Sequence, residues 1–362
     1  MRYAVPMQVR RPGIWGALSG GALLGLVWWL SARYWPAPGD DSRVPAEQRA
    51  VSLRWVTFEG ACDASGAVPV DERHFAVADD EDNVIRIYDA LAGGKPVRHS
   101  NLSKQLALDR KRAESDIEAA TSLNGHAYWL SSHGRNSRGE ADPNRSLLIT
   151  TDLPTLDSKL EVRGRVYRQL LADLQQSPLL QGYDLEHAAE LAPKAPGGLN
   201  LEGLTATPQG TLLIGFRNPI PHGKALIVPL LNPAALEEES GQAVLGAPIE
   251  LDLGGLGVRS LSFWRGSYLI AAGPAGQEGP MRLYRWLGPG SLPRLAAEAV
   301  FEDTHPEAFF TAEGNDEILV LSDDGGRQIR GKPCKKLDQK KHKRFRGLWL
   351  RLPDARARAA LP

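Results

Sequence analysis

Acidic residues stand at matching places in successive segments of this sequence. The first place in a segment holds a carboxylate four times, as Glu59, Glu118, Glu202 and Glu307. The second place, which follows an apolar run, carries Asp79, Asp80, Asp323 and Asp324. Asp116 lies two residues before Glu118, on the same side of its strand. Crowded carboxylates raise one another's pKa unless a cation neutralises them, so all these residues are candidate ligands of a divalent ion such as Ca²⁺.

Positive and polar side chains share these places. The candidate ligand-binding residues are Arg135, Arg217, Asn218 and Arg259, whose donors suit a phosphate or carboxylate that bridges the metal. Glu118 and His133 are the candidate catalytic proton carriers for a water activated by the cation. No GxSxG, HExxH or P-loop motif occurs, so serine hydrolases, zincins and nucleotidases lack support.

The acidic pattern also has a purely structural explanation. A glutamate that begins an inner strand can cap backbone amides or pair with a neighbouring arginine, and DDEDN and SDDGG are ordinary turn sequences. Three hypotheses therefore stay open. The first is a module that binds a cation together with an anionic ligand or a protein partner. The second is a divalent-cation-dependent hydrolase of phosphoesters or esters, and the third is a structural ring with no small-molecule site.

The segments that carry these residues are repeats of one unit. They cover residues 55–89, 115–152, 199–230, 257–287 and 305–352. Each has a short strand, a turn with glycine, an apolar strand such as HFAVAD or LLIGFR, a polar loop and a third strand. A fourth, outer strand fits most of them.

A radial array of such units is an all-β fold, the β-propeller, which we predict for residues 51–353. Five blades are visible, and a sixth would have to lie within 153–198. Residues 168–192 have apolar residues at helical spacing and predict a helical insertion. Because adjacent strands are antiparallel, the start of each inner strand lies beside the end of the next strand. The acidic places of all blades should therefore meet at one mouth of the central channel.

Two cysteines lie in the first and the last repeat. A closed ring makes these repeats neighbours, so Cys62, expected in the first inner strand, and Cys334 are predicted to form a disulfide, with two independent thiols as the alternative. The insertion 326–346 is strongly basic. It is either a solvated loop or a lid that meets anionic surfaces.

The N-terminal residues predict a membrane anchor. Residues 13–32 carry no charge and are long enough to span a bilayer. The arginines in 1–12 favour a cytoplasmic N-terminus, with the rest of the chain across the membrane. Residues 33–50 are a Pro-rich tether, and 354–362 form a tail. A signal peptide cleaved after Leu30-Ser31-Ala32 is the alternative, which would leave a secreted or periplasmic protein.

Composition narrows the function classes further. Lysine plus arginine and aspartate plus glutamate balance at 43 each, so no field attracts nucleic acid. With 42% hydrophobic and 24% charged residues the chain can bury a large core, which excludes global disorder. Two cysteines cannot by themselves supply a four-ligand zinc site or a disulfide-dense scaffold.

Several motifs resemble a known family. They are FEGACDASG, FAVADDEDNVIRIYD, ESDIEAAT, SSHGRN, LNLEGLTATPQG, IGFRNP, GKALIVPLLNP and SDDGG. Across residues 55–352 the chain resembles the bacterial family called domain of unknown function 3616. The resemblance implies a propeller related to phytase-like and esterase-like propellers, of which the former use calcium and acidic loops to hydrolyse phosphoesters. This chain shares only the acidic strand starts with them. We expect it to be held in a bacterial inner membrane by one span, with the propeller in the periplasm.

Overall fold

Alternating apolar residues and closely spaced turns build five antiparallel sheets. The computed structural model describes residues 51–108, 114–311 and 316–352. From the channel outward, blade 1 contains β2 (Ala67–Pro69), β3 (His74–Asp79), β4 (Asp82–Asp89) and β5 (Arg98–Asn101). Blade 2 contains β6 (Ile117–Leu123), β7 (His126–Ser131) and β8 (Leu148–Asp152), and blade 3 contains β9 (Asn200–Ala206), β10 (Leu212–Asn218), β11 (Ala225–Leu230) and β12 (Ile249–Leu251).

The last two sheets complete the ring. Blade 4 contains β13 (Gly257–Trp264), β14 (Ser267–Gly273), β15 (Arg282–Trp286) and β16 (Arg294–Ala297). Blade 5 contains β17 (Pro306–Phe310), β18 (Glu317–Ser322), β21 (Arg344–Arg351) and β1 (Val51–Glu59). The innermost strands β2, β6, β9, β13 and β17 contact one another in a closed circle. The protein is therefore an all-β, five-bladed β-propeller.

The first strand of the described chain closes the last blade. β1 pairs with β21, and Phe58 lies opposite Phe345 with the two rings stacked at 4.9 Å between centroids. The prediction that Glu59 begins an inner strand, with Cys62 just inside it, is therefore wrong. Glu59 ends the outermost strand of blade 5, and Cys62 lies in the link to β2. Both strand types look alike in sequence, because each is apolar and is followed by a glycine-bearing turn.

Apolar clusters fill the spaces between neighbouring blades. Between blades 5 and 1, Phe58 meets Phe75 edge-on at 5.3 Å. The space between blades 2 and 3 also receives leucines from the predicted helical insertion. That insertion forms two short helices, Leu170–Gln176 and Leu185–Glu190, joined by a 3₁₀ turn. Residues 153–198 thus hold helices and isolated bridges, and the alternative of a sixth blade is wrong.

A disulfide fastens the basic insertion to the ring. Cys62 and Cys334 are bonded, with an S–S distance of 2.05 Å, and both are buried. The insertion itself forms a small hairpin of β19 (Gln328–Ile329) and β20 (Lys332–Pro333) before the chain re-enters blade 5. The bond therefore joins the first blade's entry link to the loop of the last blade.

The predicted anchor lies outside the described residues, as do the flanking segments 1–12 and 33–50 and the tail 354–362. Over the part of the chain that the structure does describe, no helix has the length and apolar character that crossing a membrane requires.

Candidate functional site

A cavity opens at the mouth of the central channel where inner strands begin. Its volume is about 680 Å³, and all five blades contribute to its wall. Nine carboxylates and seven lysine or arginine side chains line it. The wall therefore carries many charges of both signs, and their local arrangement decides what the cavity can bind.

Three carboxylates from blades 1 and 2 converge in this wall. Asp80, Asp116 and Glu118 each place one oxygen within 4.8 Å of the others. Asp80 follows β3, while Asp116 precedes β6 in a left-handed backbone conformation with a φ of 50°. A second group, Asp63, Asp80 and Glu81, satisfies the same distance and shares Asp80. Spacing of this kind fits oxygen ligands around one hard cation.

The cluster is electrostatically costly without a counter-ion. Burial, and then the charge of Asp79, raises the pKa of Asp80 well above its usual range. Burial and the charge of Asp116 raise the pKa of Glu118 in the same way. Oδ1 of Asp80 is buried and accepts no hydrogen bond from any described residue. Each of these features disappears when a cation binds the oxygens.

Two cations of the protein itself offset part of this charge. Arg145 contacts Asp116 and lies 2.7 Å from Glu114. Nζ of Lys335 lies 3.3 Å from Oε1 of Glu81. Burial raises the pKa of Glu114 to about 7, since Arg145 does not fully compensate for it. The intrinsic cations therefore sit at the edges of the cluster.

A separate ion network occupies the side of the channel formed by blades 3, 4 and 5. Oε1 of Glu202 lies 2.8 Å from Arg217, and its Oε2 lies 3.1 Å from Arg259. Asn200 donates a hydrogen bond of 2.6 Å to the same glutamate, and Arg259 also pairs with Glu307. All four charged side chains are buried. Two predicted anion-binding arginines are thus committed to carboxylates.

Asp63 and Asp323 form a further carboxyl pair. Burial, with the charge of Asp80, raises the pKa of Asp63 well above its usual range. Although burial opposes it, the hydrogen bond from Asp63 holds the pKa of Asp323 at about 2. Asp63 thus carries the proton and Asp323 the negative charge. Asp323 lines the cavity as predicted, but it is already engaged by another carboxyl.

Other predicted ligands lie elsewhere. Asp79 accepts hydrogen bonds from the backbone of Cys62 and Glu81, at 3.2 and 3.0 Å, and burial raises its pKa to about 6. Asp324 receives two hydrogen bonds of 2.8 Å from Arg346. Glu59 is 3.9 Å from Arg344 on the outer strand. None of these three predicted ligands lines the mouth cavity.

The remaining predicted site residues have structural contacts. Asn218 donates to the carbonyls of Pro193 and Ala195 at 2.9 and 2.7 Å, which holds the chain that follows the helical insertion. Arg135 lines the cavity but donates to the carbonyls of Ala189 and Gly139.

His133 does not line the cavity. Its Nδ1 lies 2.7 Å from the carbonyl oxygen of Ser131, so Nδ1 carries the proton and donates it. Burial lowers the pKa of His133 to about 4, and the ring is neutral at pH 7. The structure therefore gives His133 no contact with the acidic cluster.

Sequence reasoning missed several residues of the site. They are Asp63, Glu114, Arg145 and Lys335, which lie in links and loops with no fixed place in the repeat, and Glu81, which follows Asp80 in the DDEDN turn. One signal was available for two of them. Asp63 follows Cys62 and Lys335 follows Cys334, so the disulfide brings the pair together.

Residues 158–317 match the sequence model of the family described as Protein of unknown function (DUF3616). This match confirms the family resemblance over these residues. It covers the helical insertion, blades 3 and 4, and the start of blade 5. No protein among those with curated descriptions matches the chain.

Two solved structures resemble the chain at low sequence identity. Glutaminyl cyclase from Myxococcus xanthus is 13% identical, with 85% of this chain and 98% of that chain covered and a TM-score of 0.45. The PQQ-bound aldose sugar dehydrogenase from Streptomyces coelicolor is 15% identical, with 85% and 99% covered and a TM-score of 0.41.

Proposed function

We propose that this propeller is a binding module in which a divalent cation, of which Ca²⁺ is the leading candidate, recruits an anionic ligand to the channel mouth. The observation that carries the proposal is the convergence of Asp80, Asp116 and Glu118, with one oxygen of each within 4.8 Å of the others. These residues would hold the ion. They come from two adjacent blades, so a bound ion would also cross-link the ring.

The coordination chemistry supports a ligand besides the protein. Ca²⁺ takes about six to eight oxygen ligands, and three carboxylates supply only part of that shell. The rest of the shell faces a cavity of about 680 Å³, where water or an anionic group has room to bind. A carboxylate or phosphate of the ligand would complete the coordination.

Exposed lysines suit the rest of such a ligand. Lys194 follows the helical insertion and Lys336 follows the disulfide, and both line the mouth cavity as exposed residues. Arg217 and Arg259, by contrast, are held in buried ion pairs. We therefore assign contact with the anion to the lysines of the rim.

Calcium is expected to stabilise the protein through Glu118. Chelator-treated protein should melt at a higher temperature when millimolar Ca²⁺ is added, because a ligand at 100 times its dissociation constant adds about 2.7 kcal/mol. Glu118→Gln should remove most of this increase. The same variant should leave the metal-free protein as stable or more stable, because it removes one of several repelling charges. Scanning calorimetry of both proteins, with and without calcium, measures these effects.

A matched variant and a turnover assay are the controls for the calcium-dependent melting experiment. Glu59→Gln makes the same chemical change on the outer strand and should keep the full calcium response. If Ca²⁺, Mg²⁺ and Mn²⁺ all leave the melting temperature unchanged, the cation proposal is wrong and a structural ring or a protein-binding surface remains. Calcium-dependent release of phosphate from p-nitrophenyl phosphate would instead make the protein a hydrolase.

We also propose that residues 13–32 anchor the propeller on the periplasmic side of an inner membrane. The charge asymmetry around this segment and the buried disulfide support the location, because disulfides persist in oxidising compartments. The full chain expressed in bacteria should stay in the membrane fraction after carbonate extraction, and protease added to spheroplasts should reach it. Recovery of the chain in the soluble periplasmic fraction would favour the cleaved signal peptide.

A further inference from the structure

We infer that a second cation site, formed by Asp80 and Glu81 of the cavity wall and by the buried Asp63, lies beside the first, so that Asp80 bridges two metal ions. The inference rests on the proposed function, because Asp80 also belongs to the first site. One carboxylate oxygen of each residue in this second group lies within 4.8 Å of the others. A carboxylate has two oxygens, and one shared between two acidic groups can hold a pair of ions roughly 3.5–4 Å apart.

Asp63 gives independent evidence for a ligand at this place. Its side chain is 2% exposed, and its Oδ2 accepts no hydrogen bond from the described residues. A buried carboxyl oxygen without a partner is unusual, because burial removes its water and nothing replaces it. A cation would supply the missing contact.

The side chain of Asp63 packs directly against the backbone of Gly325. A Cβ atom at Gly325 would lie 2.1 Å from Oδ1 of Asp63, so only glycine permits the carboxyl to occupy its place. Gly325 in turn accepts a hydrogen bond of 3.1 Å from the backbone N–H of Lys335. Gly325 thus contacts both the proposed ligand Asp63 and the backbone of Lys335.

Lys335 acts as a built-in competitor for the second ion. Its ammonium lies 3.3 Å from Glu81, and its charge also acts on Asp80 and Asp63. Its side chain is 39% exposed on a flexible stem, so it can move out when an ion enters. Its backbone is fixed by the neighbouring disulfide of Cys334. The second ion must displace this ammonium, and the second site is therefore the weaker of the two.

Isothermal titration of the chelator-treated full-length protein with Mn²⁺ tests this inference. The wild type should bind two ions with unequal affinity. Asp63→Asn should lose the weaker ion and keep the stronger one. Lys335→Gln should tighten the weaker site by roughly tenfold, because it removes a competing positive charge. Lys332→Gln, the same change on β20 at a lysine that does not line the mouth cavity, should leave both affinities unchanged.

Electron paramagnetic resonance separates a bridged pair from two distant ions. Two Mn²⁺ ions that share Asp80 should give an exchange-coupled spectrum, and Asp63→Asn should reduce it to the signal of one isolated ion. A single ion in both the wild type and Lys335→Gln would overturn the second site and leave the proposed function standing. Two uncoupled signals would overturn the bridge. If no ion binds to any of these proteins, the proposed function itself is wrong.

Discussion

Cys62→Ser combined with Cys334→Ser is expected to lower the melting temperature by roughly 10–20 °C. The bond joins residues separated by 272 positions, and a cross-link over so long a loop removes much entropy from the unfolded chain. The chain-entropy relation gives about 5.6 kcal/mol as an upper value, and each kcal/mol moves the melting temperature of a large domain by about 2–4 °C.

The position of the disulfide explains why its removal should lower the melting temperature strongly. Pairing of β1 with β21 already closes the ring without covalent help. The disulfide adds a second closure, because it ties the link that follows β1 to the insertion that precedes β21. Without the disulfide, the link between β1 and β2, which contains Asp63, can separate from the basic insertion 326–346. The double variant should therefore also lose the coupling between Lys335 and the second cation site.

A reductant supplies the control for this prediction. Dithiothreitol should lower the melting temperature of the wild type toward that of the double variant and leave the double variant unchanged. Thiol labelling must show that both cysteines are reduced under these conditions. A fully reduced wild type that melts at its original temperature would show that the non-covalent closure alone holds the ring.

The number and order of blades could be predicted from the sequence because they depend on local pattern. Apolar strands such as HFAVAD and LLIGFR and the turns beside them recur in every blade, whatever their distant partners. The position of the first strand depended on pairing between Phe58 and Phe345, which are far apart in the chain. No local signal marks β1 as an outer strand, and the prediction for Glu59 failed for that reason.

The candidate site was predictable to the same degree. Asp80, Asp116 and Glu118 were expected to meet, since they stand at strand ends that an antiparallel sheet brings together. The neutralising partners were not predictable, because Arg145 and Lys335 reach the cluster from loops whose paths follow no repeat. The pairing of Arg259 with Glu202 and Glu307 was not predictable either, because only the closed ring brings these residues of blades 3, 4 and 5 together.

Glu202→Gln is expected to reduce the free energy of unfolding by about 3–5 kcal/mol. The substitution keeps the size of the side chain but removes the charge that Arg217 and Arg259 share. The side chains of Arg217 and Arg259 are 5% and 4% exposed, so water cannot replace the lost carboxylate. Breaking one side of a buried ion pair is costly for this reason. Urea unfolding at constant pH, with the m-value checked for change, measures the difference.

Glu59→Gln makes the same change in a different environment. Glu59 lies 3.9 Å from an Arg344 side chain that is 47% exposed, and water screens that pair. The loss there should stay below about 1 kcal/mol. Similar losses at both positions would mean that the network of Glu202 is no more than an ordinary surface ion pair.

A double variant identifies the cause of the loss at Glu202. Arg217→Met added to Glu202→Gln removes one of the stranded charges, at the expense of hydrogen bonds from Arg217 to the carbonyls of Pro274 and Gly276. If uncompensated charge causes the loss, the double variant should be more stable than the sum of the two single changes predicts. Simple additivity would instead mean that Glu202 and Arg217 stabilise the fold independently, so that their pairing is not the source of the loss.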